Sequence, residues 1–204
     1  MGPHTISVPR LRDADDIDSS TFKNGISDEI FAKIVAVLRI AVPYTGIIIS
    51  IRESQQAREM VLKLGVSQIS GGSKTSVGGY VNPETEDQNS AQFDVSDRRT
   101  LDQVVNWLLE LGYIPSFCTA CYREGRTGDR FMSLVKSGQI ANCCQPNALM
   151  TLKEYLEDYA SEDTRKKGEK VIQEELNRIP NPVVRRKAEE YLVSLHEGKR
   201  DFRF

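Results

Sequence analysis

The chain of 204 residues carries 27 Lys and Arg against 29 Asp and Glu, a formal net charge of −2, which excludes a protein that holds nucleic acid by bulk electrostatic attraction. With 39% hydrophobic and 27% charged residues it has the composition of a globular protein of one large or two small domains, not of a disordered or collagen-like chain. No window approaches the ~18 consecutive apolar residues of a membrane span, and Met1-Gly2-Pro3-His4 lacks the basic-then-apolar opening of a secretory signal, so the expected location is cytoplasmic, with no membrane partner.

Thr5 to Val8 reads as a short strand closed by Pro9, and an acidic loop follows from Asp13 to Asp18. Ser27 is placed to cap a helix with Asp28 and Glu29 in its first turn and Ile30, Phe31, Ile34, Val35, Leu38 and Ala41 at helical spacing, stopped by Pro43. The β-branched run Gly46 to Ile51 suits a strand buried on both faces of a parallel sheet, and a helix from Ser54 to Gly65 follows it. Val66 to Ile69 is the next strand, and the glycine-rich loop Gly71 to Tyr80 comes after it. Ser96 is positioned to cap a helix with an apolar face at Leu101, Val104, Val105, Leu108 and Leu111, and Ile114 to Phe117 reads as a last strand.

Four strands, three of them followed by helices and none joined by a hairpin signal, predict an α/β fold: the second half of a (β/α)8 TIM-type barrel over residues 1–117. A complete barrel needs ~250 residues, and four strands do not close one. In such barrels the chemistry lies beyond the C-terminal ends of the strands, where Arg10, Ser73 and Lys74 fall.

From residue 118 to 204 the pattern predicts a mainly helical domain. Phe131, Met132 and Val135 mark a short helix ended by Gly138, and Thr151-Leu152-Lys153-Glu154 fits a capping box for a helix reaching Tyr159. A charged helix spans Ser161 to Ile179. After Pro180, Asn181 and Pro182 start the last helix, through Val184, Ala188, Tyr191, Leu192 and Leu195.

All four cysteines, Cys118, Cys121, Cys143 and Cys144, lie within 27 residues, a clustering that suits metal or redox chemistry better than a disulfide framework. Cys118 and Cys121 form a C-x2-C pair, and 22 residues separate Cys121 from Cys144. Zinc usually takes four protein ligands, whereas a 4Fe-4S cluster can leave one iron without a protein thiolate, so three cysteines lean toward iron–sulfur. Adjacent side chains seldom aim at one small cluster, which leaves Cys143 as a spare. A buried C-x-x-C beside an unrelated Cys-Cys pair is the plain alternative. Arg123, Arg126 and Arg130 are either solvated charge or groups that offset negative charge at the site, and His196 reads as a surface residue.

The run Cys118-Thr119-Ala120-Cys121-Tyr122-Arg123-Glu124-Gly125-Arg126-Thr127-Gly128, with Cys144-Gln145-Pro146-Asn147-Ala148-Leu149 and Tyr155-Leu156-Glu157-Asp158-Tyr159-Ala160, closely resembles HydG, the radical-SAM tyrosine lyase family of FeFe-hydrogenase maturation. Gly2-Pro3-His4-Thr5-Ile6-Ser7-Val8-Pro9-Arg10 and the loop Gly72 to Tyr80 resemble the second half of that family's barrel. The resemblance implies a complete protein in which a cluster bound by C-x3-C-x2-C reduces S-adenosylmethionine and tyrosine is cleaved to p-cresol and dehydroglycine. An auxiliary 4Fe-4S cluster, here on Cys118, Cys121 and Cys144, then supports CO and cyanide formation and their assembly on a further iron. His4 is either a hydrogen-bonded structural residue or, by its place in that match, a ligand of the further iron; Arg10, Ser73 and Lys74, which follow strands, are expected contacts for S-adenosylmethionine or tyrosine, and other hydrogenase maturation proteins are the implied partners.

No cysteine precedes Cys118, so C-x3-C-x2-C is absent and the chain alone is expected to be inactive as a lyase, a portion that works with a missing N-terminal barrel half. Two other classes stay open: a ThiH-like tyrosine lyase of thiamine thiazole synthesis, expected to lack the cysteine triad, and a non-enzymatic iron–sulfur binding module.

Overall fold

A computed structural model describes residues 4–13, 18–81 and 95–204. The acidic stretch between Asp13 and Asp18 and the start of the Gly2-to-Arg10 motif lie largely outside them. Among the described residues the chain is α/β and mostly helical. Three strands, β1 (Thr5–Ser7), β2 (Gly46–Ile49) and β3 (Gln68–Ile69), accompany eight α-helices. These are α1 (Asp28–Ala41), α2 (Gln55–Leu62), α3 (Leu101–Glu110), α4 (Ala120–Arg123), α5 (Gly128–Lys136), α6 (Ala141–Asp158), α7 (Glu162–Asn177) and α8 (Pro182–His196). No described helix is long and apolar enough to cross a membrane. The chain divides into two compact units, one ending at Leu101 and the other running from Asp102 to Phe204.

In the N-terminal unit the strands form one parallel sheet in the order β1-β2-β3, with Ile6 opposite Ile47 and Ile49 opposite Ile69. Ser27 caps α1, its Oγ accepting from the Ile30 amide at 3.3 Å, and Ser54 caps α2 through Ala57 at 3.2 Å, so both starts follow from the local sequence. Ile47 and Ile49 are fully buried with Phe31, Val35, Ala57 and Val61, whereas Gly46 and Ile48 are only half-buried. The β2 strand therefore shows the alternation of a sheet with one well-covered face, not the two-sided burial expected of its β-branched run.

The expected fourth strand at Ile114 to Phe117 does not form. Pro115 has no amide hydrogen for a ladder, Phe117 donates instead to Thr151 Oγ at 3.2 Å, and Ile114 packs against the helical core. The observed sheet thus has three strands, and a partial barrel is not established by them. Nor does Ser96 cap α3. The helix begins at Leu101, and the preceding Asp97 is buried between two arginines.

The compact units divide between Leu101 and Asp102, and Val105 and Leu109 of α3 complete the core built by α6, α7 and α8 around Leu149, Leu156, Ile172 and Leu195. Helix α6 starts ten residues before the expected capping box and runs through Pro146. Thr151 is thus mid-helix, its hydroxyl bonding back to the Asn147 carbonyl at 3.1 Å. Helices α7 and α8 have the caps their sequences suggest, Ser161 to Thr164 and Asn181 to Val183 and Val184. By contrast, α5 buries none of its residues.

Two outcomes follow. A Cβ at Gly168 on α7 would come within 2.5 Å of Leu156 Cδ1 and 2.6 Å of Cδ2, and Leu156 is fully buried. Gly168→Ala gains about 1 kcal/mol of helix propensity, but overpacking costs about 1–3 kcal/mol; a small drop in the unfolding midpoint of the C-terminal unit is expected in denaturant titration.

The second concerns Asp97, which pairs with the fully buried Arg58 and accepts from the Arg99 amide at 3.2 Å and Nε at 2.9 Å. Burial works to raise its pKa, but the Arg99 hydrogen bonds and the Arg58 charge outweigh it and hold the carboxyl below its ordinary value. That stabilisation is complete above about pH 4, the unfolded carboxyl's range, and is lost as pH falls through the lower folded value. Asp97→Asn should destabilise the N-terminal unit by about 3–5 kcal/mol at pH 6 and flatten its acid dependence, as read by circular dichroism melts between pH 3 and 7.

Candidate metal centre

The four cysteines come from two local structures of the C-terminal unit. The first is the single helical turn α4. The Ala120 amide donates to Cys118 Sγ at 3.4 Å, and the Cys118 amide to Ser116 Oγ at 3.3 Å, so the thiol before the turn is fixed from both sides. Gly125, with φ +60°, closes α4 in the left-handed conformation that only glycine adopts without strain. Its amide reaches the Tyr122 carbonyl at 3.4 Å, while the Arg126 amide reaches the Cys121 carbonyl at 2.8 Å. This paired closure ties the position of Arg126 to that of Cys121.

The second is the first turn of α6, where the amides of Cys143 and Cys144 both donate to the Ile140 carbonyl, at 3.0 and 2.8 Å. Cys118, Cys121 and Cys143 are half-buried, and Cys144 is exposed as a residue. Even so, the Cys144 thiol is pushed up to about 11, first by burial of the sulfur and then by the like charges of Cys121, Cys118 and Cys143, with Arg126 pulling the other way. The fold thus gathers the C-x2-C pair and the Cys143-Cys144 pair within electrostatic reach of one another.

Arg126 enters this group directly. Its Nη1 donates to Cys143 Sγ at 3.3 Å and its Nη2 to the Phe204 carbonyl at 2.7 Å, while its Nε is buried without a partner. Among the described residues no three His, Cys, Asp or Glu side chains converge on a point that one metal ion could occupy. Thiolates of an iron–sulfur cluster each bind a different iron, so convergence on one point is not required of them. Soft thiolates from two segments, with a cation beside them, fit such a group.

The other expected residues are placed as follows. His4 is exposed and precedes β1, its carbonyl accepting from the Gly46 amide at 2.9 Å. Arg10 follows β1; it pairs with the fully buried Glu53 and with Asp28 at 2.7 Å, and donates to the Ile26 carbonyl at 3.0 Å. Burial opposes the charge on Arg10, but the hydrogen bonds it donates to Glu53 and Asp28 prevail and raise its pKa. Arg10, Arg12, Phe22 and Asn24 line a cavity of about 460 Å³. Ser73 and Lys74 follow β3, and the Lys74 amide donates to the Tyr80 hydroxyl at 3.0 Å.

In this parallel sheet Arg10, Ser73 and Lys74 therefore lie beyond the C-terminal ends of strands and His4 before the N-terminal end of one. Arg123 pairs with Asp201, Arg130 donates to the Glu124 carbonyl at 3.4 Å, and His196 Nδ1 meets Glu157 at 3.0 Å on the surface. Glu53 and the Asn147–Phe204 contact described below were not anticipated. Glu53 carried no signal beyond its place after β2, and a main-chain partner such as Phe204 leaves none.

Residues 7–114 match the Biotin and Thiamin Synthesis associated domain family. Comparison with curated proteins gives no match. Among solved structures, a crystal structure of HydG, a maturase of the FeFe-hydrogenase, is 52% identical with a TM-score of 0.94, covering 100% of this chain and 43% of that one. The X-ray structure of the FeFe-hydrogenase maturase HydG from Carboxydothermus hydrogenoformans is 39% identical with a TM-score of 0.68, covering 94% of this chain and 40% of that one. The chain spans less than half the length of these two maturases, and its cysteines lie beyond the residues matched to the domain family but within the similarity to HydG.

The thiol cluster itself generates a pH outcome. Cys144 is expected to alkylate with iodoacetamide only as pH approaches about 11, because its neutral thiol is favoured below that value. Removing like charge with Cys121→Ala should move that midpoint down, and Arg126→Gln should move it up, as followed by peptide mass spectrometry.

Proposed function

Because the chain belongs to the Biotin and Thiamin Synthesis associated domain family and is related over its whole length to HydG maturases, we propose that it takes part in FeFe-hydrogenase maturation as the portion that carries an auxiliary 4Fe-4S cluster. Cys118, Cys121 and Cys144 hold that cluster. The observation that carries the reading is the 52% identity to HydG over the whole chain, which takes in Cys118 and Cys121 at α4 and Cys144 in the first turn of α6. Bound there, the cluster supplies an iron not ligated by the protein, to which an external cysteine-bound iron can attach for assembly of an iron–CO–cyanide precursor.

In this reading residues 1–117 are the second half of a radical-SAM barrel and residues 118–204 a helical cluster-binding domain. It works with an N-terminal half that brings S-adenosylmethionine, a second 4Fe-4S cluster and the C-x3-C-x2-C motif. Tyrosine is the substrate, p-cresol, CO and cyanide are products, and other hydrogenase maturation proteins are partners. Arg10, which pairs with Glu53 and Asp28, lines the cavity that follows β1 and is a contact for S-adenosylmethionine or tyrosine. Ser73 and Lys74 lie after β3, on the same side of the sheet. His4 is a ligand of the additional iron.

Anaerobic reconstitution with iron and sulfide is expected to give one 4Fe-4S cluster per chain, seen by iron content and by electron paramagnetic resonance after reduction. Alanine at Cys118, Cys121 or Cys144 should abolish it, and Cys143→Ala should retain it. Loss in the Cys143 variant with retention in the Cys144 variant would reverse the assignment. The isolated chain should release neither 5'-deoxyadenosine from S-adenosylmethionine nor p-cresol from tyrosine, since no cysteine precedes Cys118.

A further inference from the structure

Residues 200–204 are anchored at every step by side chains of the C-terminal unit. Arg200 pairs with Asp158, its Nε 2.9 Å from Oδ2, and donates to the Leu195 carbonyl at 2.8 Å. Asp201 pairs with Arg123, and its amide donates to Glu154 Oε1 at 2.6 Å. With φ +70° it holds a left-handed conformation that a non-glycine residue keeps only when its surroundings impose it. Phe202 stacks on Tyr191 at 4.3 Å, and the Phe204 ring meets the edge of the same tyrosine at 5.4 Å.

The end point of these contacts is the main chain of Phe204. Asn147, 3% exposed on α6, accepts from the Phe204 amide at 3.0 Å and donates to its carbonyl at 3.3 Å. That carbonyl is also the acceptor for Arg126 Nη2. The guanidinium is therefore fixed at one fork by Phe204 and rooted at its backbone by the Cys121 carbonyl, with Nη1 on the thiol of Cys143, the neighbour of Cys144 outside the ligand set, and a buried Nε–H with no acceptor. A buried donor without a partner costs about 1–3 kcal/mol. Only a planar, always-charged fork serves two acceptors at fixed angles, which a lysine ammonium does not.

We propose that Arg126 is a hydrogen-bond donor to the anionic sulfur of the cluster at Cys118, Cys121 and Cys144 and raises its reduction potential, with Asn147 and the Phe204 main chain as the positioning groups that hold it there. The inference rests on the cluster reading above. A fixed positive charge and N–H donors near cluster sulfur stabilise the more negative, reduced state, so the potential rises with them and falls without them.

The test is a redox titration of the reconstituted full chain, followed by the electron paramagnetic resonance signal of the reduced cluster. Arg126→Gln should shift the midpoint potential to lower values. Arg126→Lys, which keeps charge but not the fork, should shift it in the same direction by less. Asn147→Ala, which removes no cysteine and no charge, should also lower it by releasing Phe204 and with it Arg126. Should the glutamine variant fail to fold, the lysine and Asn147 variants read the same quantity. Midpoints unchanged from wild type in the variants that bind cluster would overturn the proposal and leave the cluster reading standing. A wild-type chain that binds no cluster would overturn both.

Discussion

Gathering thiols in one place is unfavourable for an empty protein, because each ionised sulfur raises the cost of ionising the next. The arrangement around Cys118, Cys121 and Cys144 answers this constraint in two ways. The thiols are carried by short turns whose geometry is set locally, by the glycine closure at Gly125 and by the Ile140 carbonyl beneath Cys143 and Cys144. A cation, Arg126, is brought in from the loop between them. The α6–α7–α8 core is then the fixed base, since α6 carries Cys143 and Cys144 in its first turn and buries Leu149, Leu152 and Leu156 further along.

The N-terminal unit handles buried charge differently. Glu53, fully buried after β2, accepts from both Arg10 and Arg12, and Asp97 does the same between Arg58 and Arg99. Each is a carboxylate between two guanidinium groups in the loops that follow strands, so these connecting segments are held by ion pairs where they have little apolar surface to bury. The loops after β1 and β2 are in this way joined by Glu53. Such pairs fix geometry more than they add stability.

Elements whose signals are local were legible in the sequence. Ser27, Ser54, Ser161 and Asn181 each announce a helix start, and each makes the capping bond that its type and position suggest. The C-x2-C spacing of Cys118 and Cys121 and the adjacency of Cys143 and Cys144 are likewise written in the sequence itself. What failed depended on partners distant in sequence. Ile114 to Phe117 has the composition of a strand, but Pro115 denies it a ladder bond and Thr151, 34 residues away, takes the Phe117 amide. Thr151 has the pattern of a cap, yet α6 had already begun at Ala141 with a proline inside it. The hold of Asn147 on Phe204 is made to the main chain, and so leaves no trace in side-chain composition.

Helix α5, with no buried residue, lies between the two cysteine pairs. A helix whose apolar residues Phe131, Met132, Leu134 and Val135 are only half-buried contributes less to the cooperative core, and its opening free energy lies toward the low end of the molecule's range. Opening of α5 is therefore expected to cost less than opening of α6, α7 or α8, while Arg126 before it and Ile140 after it stay held by the Phe204 carbonyl and by the first turn of α6. The thiols on either side of α5 then become accessible at a lower cost than unfolding the α6–α7–α8 base.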